Sequence, residues 1–142
     1  MRRFVDVRLG VVFLLVACLA CSGCGRARYP VTGRAAFGDG SAYTGGGFVI
    51  AEATIDGKPV SARAEIAKDG TFTLLGRGEG DGVLQGTYRV RLIGPRNSGD
   101  IDAGALVPLP FHKKFAAFDT SGLTLEIGSG KNELVIDLGD KP

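Results

Sequence analysis

The chain has two textures. From Leu9 to Cys21, the run LGVVFLLVACLAC carries no charge, whereas from Tyr29 onward apolar and polar residues alternate in short runs broken by turn residues. The alternation predicts strands, because successive side chains of a strand point to opposite faces. YPVTGRAAF (Tyr29–Phe37) is a first strand, closed by GDGS, and GGFVIAEATI (Gly46–Ile55) is a second, closed by DGKP. VSARAEIA (Val60–Ala67) is a third, and Asp69-Gly70 turns it into TFTLL (Thr71–Leu75). Asp-Gly between alternating runs is a hairpin signal, since both positions tolerate positive φ. GRGEGDGVLQG (Gly76–Gly86) holds no apolar period and reads as loop. TYRVRLIG then sets Tyr88, Val90 and Leu92 on one face against Arg89 and Arg91 on the other.

PRNSGDIDAGA (Pro95–Ala105) is a second polar loop. The prolines of LVPLPFHKKFAAFDTSG forbid a central strand there, and a helical turn is expected around His112–Ala117. LTLEI (Leu123–Ile127) and NELVIDL (Asn132–Leu138), joined by GSGK, are the last two strands. Seven strands with one buried face each, and no long amphipathic helix, must cover each other, which predicts an all-β sandwich. The expected core is Val31, Phe48, Ile50, Ile66, Phe72, Leu74, Tyr88, Val90, Leu92, Leu123, Leu125, Ile127, Leu134 and Ile136. A body of this size buries somewhat over ~60% of its unfolded surface, enough for a core without disulfides.

The uncharged run changes the picture of the front. It is too short for a spanning helix, which needs roughly 20 apolar residues. Behind the basic start MRRFVDVR it fits the apolar region of a secretory signal. Composition then matters in two ways. The 23 glycines fit many turns between short strands. The 17 basic and 15 acidic residues become 14 and 14 once Arg2, Arg3, Arg8 and Asp6 leave with residues 1–23, so the mature side chains balance. That balance gives no support to a nucleic-acid partner, which needs a concentrated positive patch.

Cys18, Cys21 and Cys24 are the only cysteines, so one chain cannot complete a four-thiolate metal cage. Small residues before a cysteine, as in CSGC and LVAC, instead resemble a bacterial lipobox, where the thiol becomes a thioether to diacylglycerol. Cys24 is the expected lipidation site, because the apolar run has ended there and the polar tether GRAR begins; Cys18 is the alternative. The expected organisation is a lipoprotein signal peptide at 1–23, a tether at 24–28 and a β-sandwich at 29–142. Two or more acyl chains anchor stably, which places the protein outside the cytosol on a cell-envelope membrane, periplasmic or surface-facing.

YPVTGRAAFGDG, GGFVI, KDGTFTL, GTYRVRL and TSGLTLEIGSGKNELVIDL occur in this order. Together they resemble planctomycete-type small lipoproteins with a carboxypeptidase regulatory-like, or transthyretin-like, domain. The most specific piece, LPFHKKFAAFDTSGLTLEI, is similar to that family's Pro-x-Lys-Tyr segment leading to Thr-Ser-Gly-Leu-Thr, with Phe115 where tyrosine is usual. The resemblance implies export and a seven-stranded transthyretin-like sandwich; it implies no active site.

Candidate chemistry is thin. His112 is the only histidine, and Ser121 and Asp119 are near it in sequence, but TSGLT reads as a turn entering a strand and has no nucleophile-elbow context. Asp100 and Asp102 supply too few oxygens for calcium, and a solvated turn is preferred. The glycines of GRGEGDG enter no helix and so make no phosphate cradle. No catalytic residue, metal ligand or cofactor is assigned. FHKKFAAF remains. Phe111, Phe115 and Phe118 fit a core-facing stripe, while Phe111, His112, Lys113, Lys114 and Phe115 become the leading partner contact if the rings are exposed. The expected function is a non-catalytic, membrane-anchored envelope lipoprotein with a structural, adhesive or assembly role toward an envelope protein or glycan. The alternative is a carbohydrate or small-ligand binding module.

Overall fold

The structure is a computed structural model that describes residues 26–77, 82–95 and 108–141. The leader with Cys18, Cys21 and Cys24 lies outside the described residues, as do Asp100 and Asp102. The elements in chain order are β1 (Arg28–Tyr29), β2 (Val31–Ala36), β3 (Phe48–Ile55), β4 (Lys58–Glu65), β5 (Thr71–Gly76), β6 (Val83–Leu84) and β7 (Gly86–Ile93). A 3₁₀ turn (Lys113–Ala116), the single helical turn α1 (Phe118–Ser121), β8 (Leu123–Ile127) and β9 (Asn132–Asp137) follow.

The protein is all-β. Seven strands pair in one mixed sheet of order β8-β7-β3-β4-β5-β2-β9, which curls until it is nearly barrel-shaped. The link between β4 and β5 consists of two residue pairs, Ala62 with Gly76 and Arg63 with Leu75, against eight between β3 and β4. β2 and β9 run parallel from Val31–Asn132 to Ala36–Asp137, while the other pairs are antiparallel. Short β1 and β6 form a separate two-stranded ribbon, so the stretch read as loop from Gly76 to Gly86 contains a strand. Two residues are too few for an alternation to be seen in sequence.

Turn chemistry sets the strand registers. Asp56 (φ 48°) and Gly57 (φ 73°) make a two-residue connection between Ile55 and Lys58, the primed turn that matches strand twist. At the next corner, Gly70 N–H donates to Ala67 O and Ala67 N–H to Thr71 O, both at 2.9 Å, with Gly70 in the left-handed region. This is a three-residue loop with a glycine bulge at the turn expected from Asp69-Gly70.

The core follows the alternation in most strands. Val31, Ile66, Phe72, Leu74, Tyr88, Val90, Leu92, Leu125, Ile127, Leu134 and Ile136 are buried as expected. β3 departs from the expectation, because its inward residues are Val49 and Ala51, both fully buried, while Phe48 and Ile50 are half-buried on the outer face. FVIA is apolar on both faces, so its own pattern cannot choose between them. Phe48 lies under the Arg63 guanidinium at 3.7 Å from the ring centre, and Ile50 is registered between Arg63 and Arg91. Leu123 is also half-buried, packed on the rim of the core.

Strand directions give the body two ends. At one lie Arg28, the β3–β4 turn, β6 and the β8–β9 turn. At the other lie the β2–β3 connection, the β4–β5 turn, the 3₁₀ turn and α1. The chain enters at the first end, where Arg26 forms an ion pair with Asp56.

Candidate functional site

The segment Phe111–Ser121 caps the end remote from β1, and its side chains divide sharply. Phe111 and Phe115 are 2% and 3% exposed. Phe111 meets the edge of Tyr43 at 6.0 Å between ring centres, and Tyr43 meets Phe37 in the same way at 5.9 Å. Of the five contact candidates, Phe111 and Phe115 are therefore withdrawn into the core, as their helical spacing allows. His112, Lys113 and Lys114 stay at the surface.

His112 precedes the 3₁₀ turn, and its Nδ1 accepts the Lys114 N–H at 3.2 Å, a capping role. Thr120 Oγ1 donates to Lys114 O at 2.6 Å and ties the 3₁₀ turn to α1. Phe118, the third ring of the stripe, turns out over β7. Arg91 and Arg89 face it at 5.0 and 5.5 Å from its centre, within cation–π range. Asp119 pairs with Arg89 at 3.1 Å, and Arg91 Nη1 donates to Ala116 O at 3.4 Å while its buried Nε has no hydrogen-bond partner among the described residues.

The residues weighed as a Ser-His-Asp set are each engaged elsewhere. Ser121 is buried; its hydroxyl donates to Val90 O at 2.6 Å and accepts the Leu123 N–H at 3.2 Å. That geometry stitches α1 and β8 to β7. Asp119 is turned to Arg89 and His112 to its own backbone, and no hydrogen bond joins the three among the described residues. Among the described residues no group of three or more His, Cys, Asp or Glu could hold a metal ion, and no helix is long and apolar enough to cross a membrane.

A second feature lies at the N-terminal end and escapes sequence reading. A cavity of about 550 Å³ opens there between the β1–β6 ribbon, the ends of β3 and β4, and the start of β7. Arg28, Arg77 and Arg89 line it with Glu52, Ser61 and Thr87. The outward positions of TYRVRLIG announce Arg89 as polar surface. Nothing local announces that Arg28 and Arg77, 49 positions apart, line the same cavity.

Comparison of the chain with family models, with curated proteins and with solved structures found no match.

Proposed function

We propose that the protein is a non-catalytic lipoprotein of a cell envelope, exported by residues 1–23, acylated at Cys24 and anchored on a membrane. Its all-β body serves as an interaction domain with a structural, adhesive or assembly role. The observation that carries this reading is the closeness of the body to the cysteine. β1 begins at Arg28, four residues after Cys24, at the end opposite His112, Lys113 and Lys114. At roughly 3.3–3.6 Å per residue the extended tether spans at most about 14 Å. Anchoring at Cys24 then holds one end against the bilayer and presents the other outward. On the same reading the sheet is a transthyretin-like sandwich, with β8-β7-β3-β4 folded over β5-β2-β9 at the two-pair seam between β4 and β5. The engagement of the Ser121 hydroxyl in packing supports a non-catalytic role.

Metabolic labelling with a fatty-acid analogue tests the anchor. Label is expected on the wild type and on Cys18→Ala, and is expected to vanish in Cys24→Ala. Label that survives Cys24→Ala and is lost in Cys18→Ala moves the site, and an unlabelled wild type removes the anchor. The interaction role is tested by pull-down from envelope extracts, where recovery should fall in a Lys113→Ala/Lys114→Ala variant. The cavity at the N-terminal end favours a second reading, a carbohydrate or small-ligand binding module, which a blank glycan array and thermal-shift panel would remove.

A further inference from the structure

The cavity at the N-terminal end is built by cations from three separate parts of the chain. Arg28 reaches from β1 across Gly76 to Gly82, with Nη1 3.5 Å from the Gly82 carbonyl. Gly76 makes the room, since a Cβ there would stand 2.8 Å from that nitrogen. Arg77 is set beside β4 by its backbone N–H, which donates to Ser61 O at 3.1 Å. Arg89 stands across the β3–β7 pair from Glu52, and Ser61 faces Glu52 from β4. Among the described residues, neither Arg28 nor Arg77 has a carboxylate within 4.0 Å, and Arg89 meets only Asp119. Glu52 is the one acidic residue in the described lining.

Guanidinium groups suit phosphate, because the planar fork donates two parallel hydrogen bonds to its oxygens. The hydroxyls of Ser61 and Thr87 can serve a polyol attached to that phosphate. A volume of about 550 Å³ is within the range of small-molecule sites. We propose that this cavity binds a phosphate-bearing polar headgroup, with Arg28, Arg77 and Arg89 as its anion ligands. The choice of a lipid headgroup over a free phosphate rests on the anchoring reading above. Arg28 is four residues from Cys24, so an acylated Cys24 sets the cavity among the phosphates of its own bilayer. The anion site itself does not depend on acylation.

The test uses the full-length protein in a neutral detergent and calorimetric titration with four water-soluble probes. These are glycerophosphoglycerol, glycerophosphocholine, glycerol 3-phosphate and inorganic phosphate. Glycerophosphoglycerol should bind, and Arg28→Gln should weaken it by ~10-fold or more, as loss of a charged partner does. Arg77→Gln serves if Arg28→Gln does not fold. Lys113→Gln/Lys114→Gln, at the opposite end, should leave binding unchanged. Glu79→Gln/Asp81→Asn changes the stretch between Arg77 and Gly82 that lies outside the described residues, and it should leave binding equal or tighter; loss of binding there overturns the proposal. So does an absence of heat with all four probes, or binding untouched by the arginine variants. Equal affinity for inorganic phosphate and for glycerophosphoglycerol overturns the headgroup assignment. Binding by a protein that takes up no label refutes the anchor and leaves the anion site; label without binding does the reverse.

Discussion

At the scale of single residues, the molecule is held by polar groups that do packing work. Tyr43 is the clearest case. It is 1% exposed, stacks edge-on between Phe37 and Phe111, and donates its hydroxyl to Gly46 O at 3.0 Å. Burial pushes its pKa from 10.0 up to about 12. Burial raises Tyr88 as well, with Arg28 pulling the other way. Below pH 10 the Tyr43 phenol is neutral in both folded and unfolded chains. Between pH 10 and about 12 only the unfolded chain ionises there, so stability present below pH 10 is lost as the pH climbs through that window. Tyr43→Phe should cost about 0.5–1.5 kcal/mol at neutral pH through the lost hydrogen bond. It should also flatten the alkaline fall in stability, with Tyr88 supplying what remains. Urea unfolding from pH 7 to pH 12 measures both effects.

At the scale of elements, two corners of the body repeat one device. In Asp39-Gly40-Ser41 and Asp69-Gly70-Thr71 the carboxylate accepts from the backbone N–H and the hydroxyl two residues on, at 2.6–2.9 Å. The Ser41 and Thr71 hydrogen bonds lower the two carboxyl pKa values, that of Asp39 to about 2 with help from Lys141. The two glycines differ in their surroundings. Both have φ near 80°, but an added Cβ would meet nothing within 4 Å at Gly40 and would lie 2.6 Å from Ala35 O at Gly70. Gly70 O also accepts the Ala35 N–H at 2.8 Å. Gly40→Ala should therefore cost only the conformational penalty, about 1 kcal/mol, as for other residues forced to positive φ. Gly70→Ala should cost more, through a disturbed β2. The difference between their urea midpoints reads the clash alone. Both corners are visible in sequence as Asp-Gly followed by a hydroxyl residue. That Gly70 abuts β2 is not, because Ala35 lies 35 positions away.

At the scale of the whole molecule, the two ends of the curled sheet carry different chemistry. The remote end is closed by Phe111 and Phe115, with Lys113 and Lys114 on its rim. Phe115→Ala should destabilise by ~3–5 kcal/mol, the range for truncating a buried ring. Lys113→Ala and Lys114→Ala should each stay within about 0.5 kcal/mol of wild type, as exposed positions do. Thermal unfolding of the three variants separates them. A large loss in the lysine variants would show that this rim is structural and not available to a partner. The N-terminal end carries the arginine-lined cavity, formed only because the β1–β6 ribbon brings Arg28 back over Gly76.

Strand positions, turn residues and the all-β class were legible in the sequence, because period-two alternation and Asp-Gly turns act over a few neighbouring residues. So was the stripe Phe111-Phe115-Phe118, though its partition into two core rings and one half-buried ring under arginines was not. Tertiary structure decided the rest. β3 is apolar on both faces, and only its arginine-bearing neighbours assign Val49 and Ala51 to the core. The ribbon of β1 with β6 is too short to leave a pattern, and the cavity beside it joins side chains far apart in the chain. Alternation constrains a strand's faces locally, whereas which face is buried and which charges meet depend on pairings between distant segments.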